Sequence, residues 1–307
     1  MVKMYKSSNI FGIVGSSLNP NLKGNEIIIW DDQIKKVIYK YKFKKEVINL
    51  ELTEDSIIIV CYSVIYVFDF KNFQLIDIIN TGPNPKGLMA ISHDERTIIV
   101  YPSTEDKNGK LTIKNYKLKS FLYLNPDQND IDCFALSNDG LFLATLGKAS
   151  EFIRIYETRT GEKLNDLYKG KEGKGKKESN KYISISNNNH FLSFAYKEGM
   201  IDIWTLKSAK KGNKDDEKYN QKIDINASNI HAGFLTKREE SFIYGNLSDS
   251  DSEYKFIKFG NEKNSLVDLF VVTSNGKFHH AQFKEEKIKK KKELFIKNTR
   301  NLFETNS

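Results

Sequence analysis

The chain repeats itself. "IIIWDDQIKKVIYKYKF" (Ile27 to Phe43) reads as two strands joined by a polar turn, and "SVIYVFDFKNFQLIDII" (Ser63 to Ile79) has the same design. "KLTIKNYKLKSFLYL" (Lys110 to Leu124) and "EFIRIYETRTGEKLNDL" (Glu151 to Leu167) are further copies. "GMIDIWTLKS" (Gly199 to Ser208) starts a fifth and "GKFHHAQFKEE" (Gly276 to Glu286) a sixth. Counted from Ile29 through Val67, Ile113, Ile155 and Ile203, the first five stand 38 to 48 residues apart. Two more strand signals precede each copy, as in "IDCFALSNDGLFLATLG" (Ile131 to Gly147), "KYISISNNNHFLSFAYKEG" (Lys181 to Gly199) and "KGLMAISHDERTIIVYPS" (Lys86 to Ser103). The turns Ser-Asn-Asp-Gly, Ser-Asn-Asn-Asn and Ser-His-Asp-Glu fall at one place in the unit. Four strands in about 40 residues is the pattern of an all-β, WD40-type β-propeller with four-stranded blades. Six blades can be counted.

Two stretches break the rhythm. Lys207 to Ile223, "KSAKKGNKDDEKYNQKI", has almost no apolar content and is expected to be an exposed, mobile loop. The segment from Lys284 is strongly basic and is expected to form a terminal strand or short helix with a frayed end. The expected organisation is a single propeller domain over residues 1–283 and a basic C-terminal tail over 284–307.

Composition narrows the function. The 15 Tyr and 20 Phe favour strands, and no stretch approaches the roughly 20 apolar residues of a membrane span. The apolar run near Met1 is too short for a signal peptide. Cys61 and Cys133 offer no disulfide framework, which fits a reducing cytosol, and their apolar surroundings predict buried thiols. A net charge of +8 suits anionic partners, whether nucleic acid, phospholipid or acidic protein. The abundance of Lys and Asn along the whole chain gives the charge an ordinary compositional origin as well.

Catalytic and metal chemistry find no foothold. His279 and His280 are neighbours on a strand and should face opposite ways. His93 and His190 fall in turns, and His231 has no companion. Asp31-Asp32 recurs as an acidic turn position at Asp69 and near Glu157. "GKEGKGKK" (Gly170 to Lys177) lacks the spacing of a phosphate-binding Walker loop. "LSDSDSE" (Leu247 to Glu253) reads as a solvated or phosphorylatable loop. No enzyme, cofactor or metal is expected.

Several segments resemble one family. "NPKGLMAISHDERTIIVYPS" (Asn84 to Ser103), "GSSLNPNLKGNEIIIWDD" (Gly15 to Asp32), "LSNDGLFLATLGKASEFIRIYETRTGEKLNDLYKG" (Leu136 to Gly170) and "DLFVVTSNGKFHHAQF" (Asp268 to Phe283) are similar, in order, to the PROPPIN (WIPI-type) propellers. The resemblance implies a seven-bladed autophagy propeller. Such a protein binds phosphatidylinositol 3-phosphate and 3,5-bisphosphate through two pockets flanking a Phe-Arg-Arg-Gly motif. It also implies a membrane-inserting loop, here the Lys207 to Ile223 insertion, with Tyr219 its one aromatic. The six countable units match the family's second to seventh blades. This chain begins 14 residues before Gly15, so the first blade is expected to be missing.

The motif itself is reduced. Phe-Arg-Arg-Gly aligns with Leu167-Tyr168-Lys169-Gly170. Arginine grips phosphate with a planar fork, lysine offers a point charge and tyrosine one hydroxyl. The first pocket keeps Thr145 and Arg154. Asp127 falls where the family has a His, and Leu146 and Gly147 replace small or hydroxylated residues. In the second pocket Ser193 remains, beside Met200 and Asp202. The lipid-binding candidates by resemblance are therefore Lys169, Arg154, Thr145, Ser193 and Gly170. Lys169, Lys171, Lys174, Lys176, Lys177 and Lys181 form a cationic arc able to attract an anionic surface without headgroup specificity.

The implied function is a non-enzymatic scaffold in autophagy or endolysosomal traffic. It is cytoplasmic and peripheral to autophagic or endosomal membranes, with weakened phosphoinositide binding and with autophagy proteins as partners. An alternative keeps the propeller for protein interaction and drops the lipid. Nucleic acid is not an expected partner; an RNA adaptor role rests on charge alone.

Overall fold

The computed structural model describes residues 1–6, 8–16, 21–94, 97–104, 109–169, 181–196, 200–210, 221–224, 243–246, 254–263, 266–273, 277–284, 292–293 and 295–301. The chain divides into two compact units, Met1–Asn125 and Pro126–Ser307.

The first unit holds three antiparallel, four-stranded sheets, each built from consecutive strands. The first contains Val2–Met4, Ile10–Val14, Glu26–Asp31 and Lys36–Lys42. The second contains Asn49–Leu52, Ser56–Val60, Val64–Asp69 and Leu75–Asn80. The third contains Ala90–Ile91, Ile98–Pro102, Leu111–Asn115 and Ser120–Leu124. Strand Ser56–Val60 is buried along its whole length because it has a core on each face. Successive side chains alternate. Ile57 and Ile59 pack with Ile27, Ile29 and Leu50 of the first two sheets, while Ile58 and Val60 pack toward Ile99 and Tyr101 of the third. Burying each such side chain contributes roughly 1.5–3 kcal/mol. A continuous apolar run is thus read as a strand sandwiched between two neighbouring sheets.

The second unit repeats the plan. Its first sheet contains Ile131–Leu136, Phe142–Gly147, Phe152–Glu157 and Lys163–Tyr168. The next contains Tyr182–Ile185, Phe191–Ala195, Met200–Thr205 and Ile243–Asn246, with Lys292–Glu293 added in parallel. The last contains Tyr254–Lys263, Leu266–Thr273, Lys277–Lys284 and Phe295–Asn301. Strand Phe191–Ala195 divides its side chains as Ser56–Val60 does. Leu192 and Phe194 pack against Phe142, Ala144 and Leu146; Phe191 and Ala195 pack against Leu269 and Val271. Among the described residues, six sheets of blade type correspond to the six repeats.

The recurrent turns have one construction. Ser92, Ser137 and Ser186 each donate from Oγ to the Asp94, Asp139 or Asn188 side chain two residues on. The same oxygens accept the N–H of Ile98, Phe142 and Phe191, where the next strand begins. The acidic turn positions have another construction. Asp31 accepts the N–H groups of Gln33 and Ile34, and Asp69 those of Lys71 and Asn72. Asp31 and Asp69 are therefore turn-formers.

One outer segment differs from expectation, and the other forms the terminal strand that was one of its two expected forms. The ends of the charged insertion are not loop: Lys207–Lys210 pairs with Gln221–Asp224 in a two-stranded antiparallel ribbon. From the basic C-terminal stretch, Phe295–Asn301 pairs with Lys277–Lys284 and becomes the outer strand of the last sheet. Tyr219, His231 and the acidic segment 247–253 lie outside the described residues.

Candidate functional site

Arg154 stands in the third strand of the sheet that begins at Ile131. Register sets Thr145 opposite it on one side and Asp166 on the other. Side chains in one cross-strand row share a face, and Ile153, Ile155 and Leu167, on the opposite face, pack toward strand Phe191–Ala195. Thr145, Arg154 and Asp166 therefore look away from that strand. Ser193 shares the face of Phe191 and Ala195, toward the last sheet. Thr145 and Arg154 thus share a face of one sheet, and Ser193 lies on another sheet.

The guanidinium of Arg154 is engaged from within the chain. Its Nη1 donates to Asp127 Oδ2, and also to Ser150 Oγ at 3.3 Å. Its Nε lies 3.9 Å from Asp166 Oδ1, which Lys163 flanks through Oδ2 at 2.6 Å. Burial of Asp127 opposes its ionisation, but the Asn129 N–H at 3.1 Å and the Arg154 guanidinium outweigh it and hold the carboxyl below the usual range. Asp127 fits only because residue 147 is glycine: a Cβ there would collide with the carboxylate and come within 2.9 Å of the Asp127 Cβ. The acidic residue is seated against the arginine rather than merely near it. Thr145 Oγ1 and Ser193 Oγ, in residues 1 % and 0 % exposed, are buried with no hydrogen-bond partner among the described residues.

The motif residues pack against the sheet that carries them. The Tyr168 ring packs on Phe152 at 5.4 Å between centroids. Lys169 is 7 % exposed, and its N–H donates to Glu151 O at 2.9 Å. Lys181, at the far end of the lysine-rich stretch, forms a buried ion pair with Asp132 at 2.8 Å. Gly170, Lys171, Lys174, Lys176 and Lys177 lie outside the described residues. Asp202 is buried.

The remaining candidates are placed as follows. His279 is buried, while His280 faces the other way, with Nε2 at 2.7 Å from Asp268 Oδ1. His93 and His190 are exposed. Cys61 and Cys133 are buried, and burial pushes the Cys61 thiol up to about 11, far from reactive. Among the described residues no group of three or more His, Cys, Asp or Glu side chains is placed to hold a metal ion. Among the same residues no helix is long and apolar enough to cross a membrane.

No family model matches the chain. Curated relatives do. Autophagy-related protein 18e of Arabidopsis thaliana is 26 % identical over 209 residues, covering 67 % of this chain and 54 % of that protein. Autophagy-related protein 18 of Dictyostelium discoideum is 26 % identical over 156 residues, covering 51 % of this chain and 42 % of that protein. The chain spans about half the length of the curated relatives it matches. Among solved structures, Kluyveromyces lactis Hsv2 with its complete loop 6CD overlays with a TM-score of 0.72 at 16 % identity, covering 98 % of this chain and 86 % of that one. A complex of KlAtg21 with the coiled coil of AgAtg16 gives 0.71 at 16 % identity, covering 98 % and 84 %. Consecutive four-stranded sheets that share double-faced core strands, with these neighbours, define a WD40-type β-propeller. Within that class the proteins it is similar to include autophagy-related protein 18, Hsv2 and Atg21.

Proposed function

We propose that the chain acts as a non-enzymatic scaffold in autophagy or endolysosomal membrane traffic, peripheral to those membranes on their cytoplasmic side, with weakened recognition of phosphatidylinositol 3-phosphate and 3,5-bisphosphate. The autophagy-related names of its relatives support the process, and the Atg21 complex with an Atg16 coiled coil supports autophagy proteins as partners.

The observation that carries the weakened reading is the Arg154–Asp127 pair. A phosphate arriving at Arg154 must displace a carboxylate already seated there, and each charge-assisted bond it fails to make costs roughly 1.5–3 kcal/mol. The burial of Lys169 and the packing of Tyr168 favour a second reading, a protein-interaction propeller without headgroup recognition.

Co-sedimentation with phosphatidylcholine vesicles, with and without phosphatidylinositol 3-phosphate, separates the two. Weak but selective binding that falls with Arg154→Ala and Lys169→Ala, and with no other single Lys→Ala change, is expected from the first. Equal binding to both vesicles leaves only the second.

A further inference from the structure

Outer propeller strands are ordinarily polar, as Lys163–Tyr168 is. Fourteen large hydrophobic side chains of Met1–Asn125 are exposed, six of them on or beside the outer strands of its second and third sheets. Leu75, Ile76 and Ile78 belong to the outer strand of the second sheet; Phe121 and Tyr123 belong to that of the third, with Leu118 in the turn before it. Phe121 and Tyr123 are 63 % and 53 % exposed and meet edge to face at 5.7 Å. Contiguous exposed apolar surface marks an interaction site more often than chance.

The two sheets enclose a cleft here. They pack through Ile65, Ile79, Ile99 and Tyr101, and between their outer strands lies a cavity of about 560 Å³. Ile78, Phe121 and Tyr123 help line it. On its polar side Lys114 Nζ and Tyr116 OH both donate to Asp77 Oδ2, at 2.5 and 2.9 Å. Burial opposes ionisation of Asp77, yet these two donors hold its carboxyl below the usual range. That carboxylate is bonded internally. Asp77 compensates Lys114, which leaves Lys119 as the other cation in the lining, so the charge complement of the cleft is a carboxylate at Lys119.

We propose that this cleft docks an extended acidic peptide segment of a partner protein. Ser120–Leu124 is the last strand of its sheet, and among the described residues no strand pairs with its outer edge. An extended segment adds to such an edge through main-chain hydrogen bonds, and alternate side chains supply specificity. The segment seats an aromatic or long aliphatic side chain between Phe121, Tyr123 and Ile78, and a neighbouring carboxylate meets Lys119. A concave site receives protruding side chains, whereas insertion into a bilayer needs side chains that protrude from the protein. The observations therefore favour a peptide over a membrane. The inference does not depend on the lipid reading of Arg154.

The test selects random linear dodecapeptides displayed on phage against the purified full chain, then measures fluorescein-labelled synthetic copies by anisotropy. Enriched peptides are expected to share an aromatic or long aliphatic residue beside Asp or Glu. Their affinity is expected to fall about tenfold with Phe121→Ser, Tyr123→Ser or Lys119→Glu. Leu266→Ser on the last sheet should leave it unchanged. All four positions are exposed, and thermal melts verify that the variants fold. The proposal is overturned if no peptide is enriched, or if enriched peptides bind the three cleft variants as they bind the parent. It is also overturned if phosphatidylserine vesicles, and no peptide, bind in a manner sensitive to Tyr123→Ser.

Discussion

Gly147 and Asp127 depend on each other. The carboxylate occupies the space a Cβ at residue 147 would take, and from there it reaches Arg154. Gly147→Ala is expected to push Asp127 off the guanidinium and destabilise the fold by about 1–3 kcal/mol. Asp127→Asn keeps the shape and an acceptor for the Asn129 N–H, but removes the nearer of the two carboxylates at Arg154 and leaves it Asp166 at 3.9 Å. A loss of about 1–3 kcal/mol in urea unfolding follows, together with stronger sedimentation on vesicles containing phosphatidylinositol 3-phosphate. An Asp127→Asn protein as stable as the parent, with unchanged sedimentation, would show that the pair does not govern the site. The sequence placed Asp127 near a pocket. It did not reveal the ion pair, because 27 residues separate the partners and only the packing of the linker against the sheet brings them together.

At the scale of the element, the turns were the most readable part of the chain. Ser-x-Asp and Ser-x-Asn report themselves because the bonds they make are local: Oγ to the second residue on, and the next strand's N–H back to Oγ. The ribbon at Lys207–Lys210 and Gln221–Asp224 was not readable, since its alternation carries no apolar face and its partners are far apart in sequence. The burial of Lys169 was equally hidden, because lysine is almost never buried without a reason found elsewhere in the fold. The Asn-Pro-Lys-Gly-Leu segment shows what a local motif builds. Asn84 donates from Nδ2 to Leu88 O at 2.9 Å and accepts the Leu88 N–H at 2.7 Å, closing a loop whose Gly87 sits at a φ of 63°. Asn49 Nδ2 then donates to Gly87 O at 2.9 Å and ties the loop to the second sheet. Asn84 is buried, so Asn84→Ala strands two backbone groups and is expected to cost about 1–3 kcal/mol, read as a lower urea midpoint at unchanged slope. An unchanged midpoint would mean that water replaces the amide.

Across the whole molecule, the response to acid follows from two paired carboxylates, half-buried Asp77 and buried Asp127, one in each compact unit. Asp77 is held by Lys114 and Tyr116, and Asp127 by Asn129 and Arg154; in both, burial works against the charge and the donors prevail. A folded-state value below the unfolded one means that the unfolded chain binds protons first as pH falls. The stabilisation is therefore complete above the unfolded value, about 3.9 for Asp, and drains away as pH drops through the depressed folded value. These pairs predict no loss of stability between pH 7 and 5 and a steep fall below about pH 4. Urea unfolding at a series of pH values tests this, with Asp77→Asn/Asp127→Asn as the comparison. The double variant should be less stable at pH 7 and show a shallower fall in acid, because the groups that took up protons on unfolding are gone. Parallel pH curves for the two proteins would place the acid sensitivity in other carboxylates.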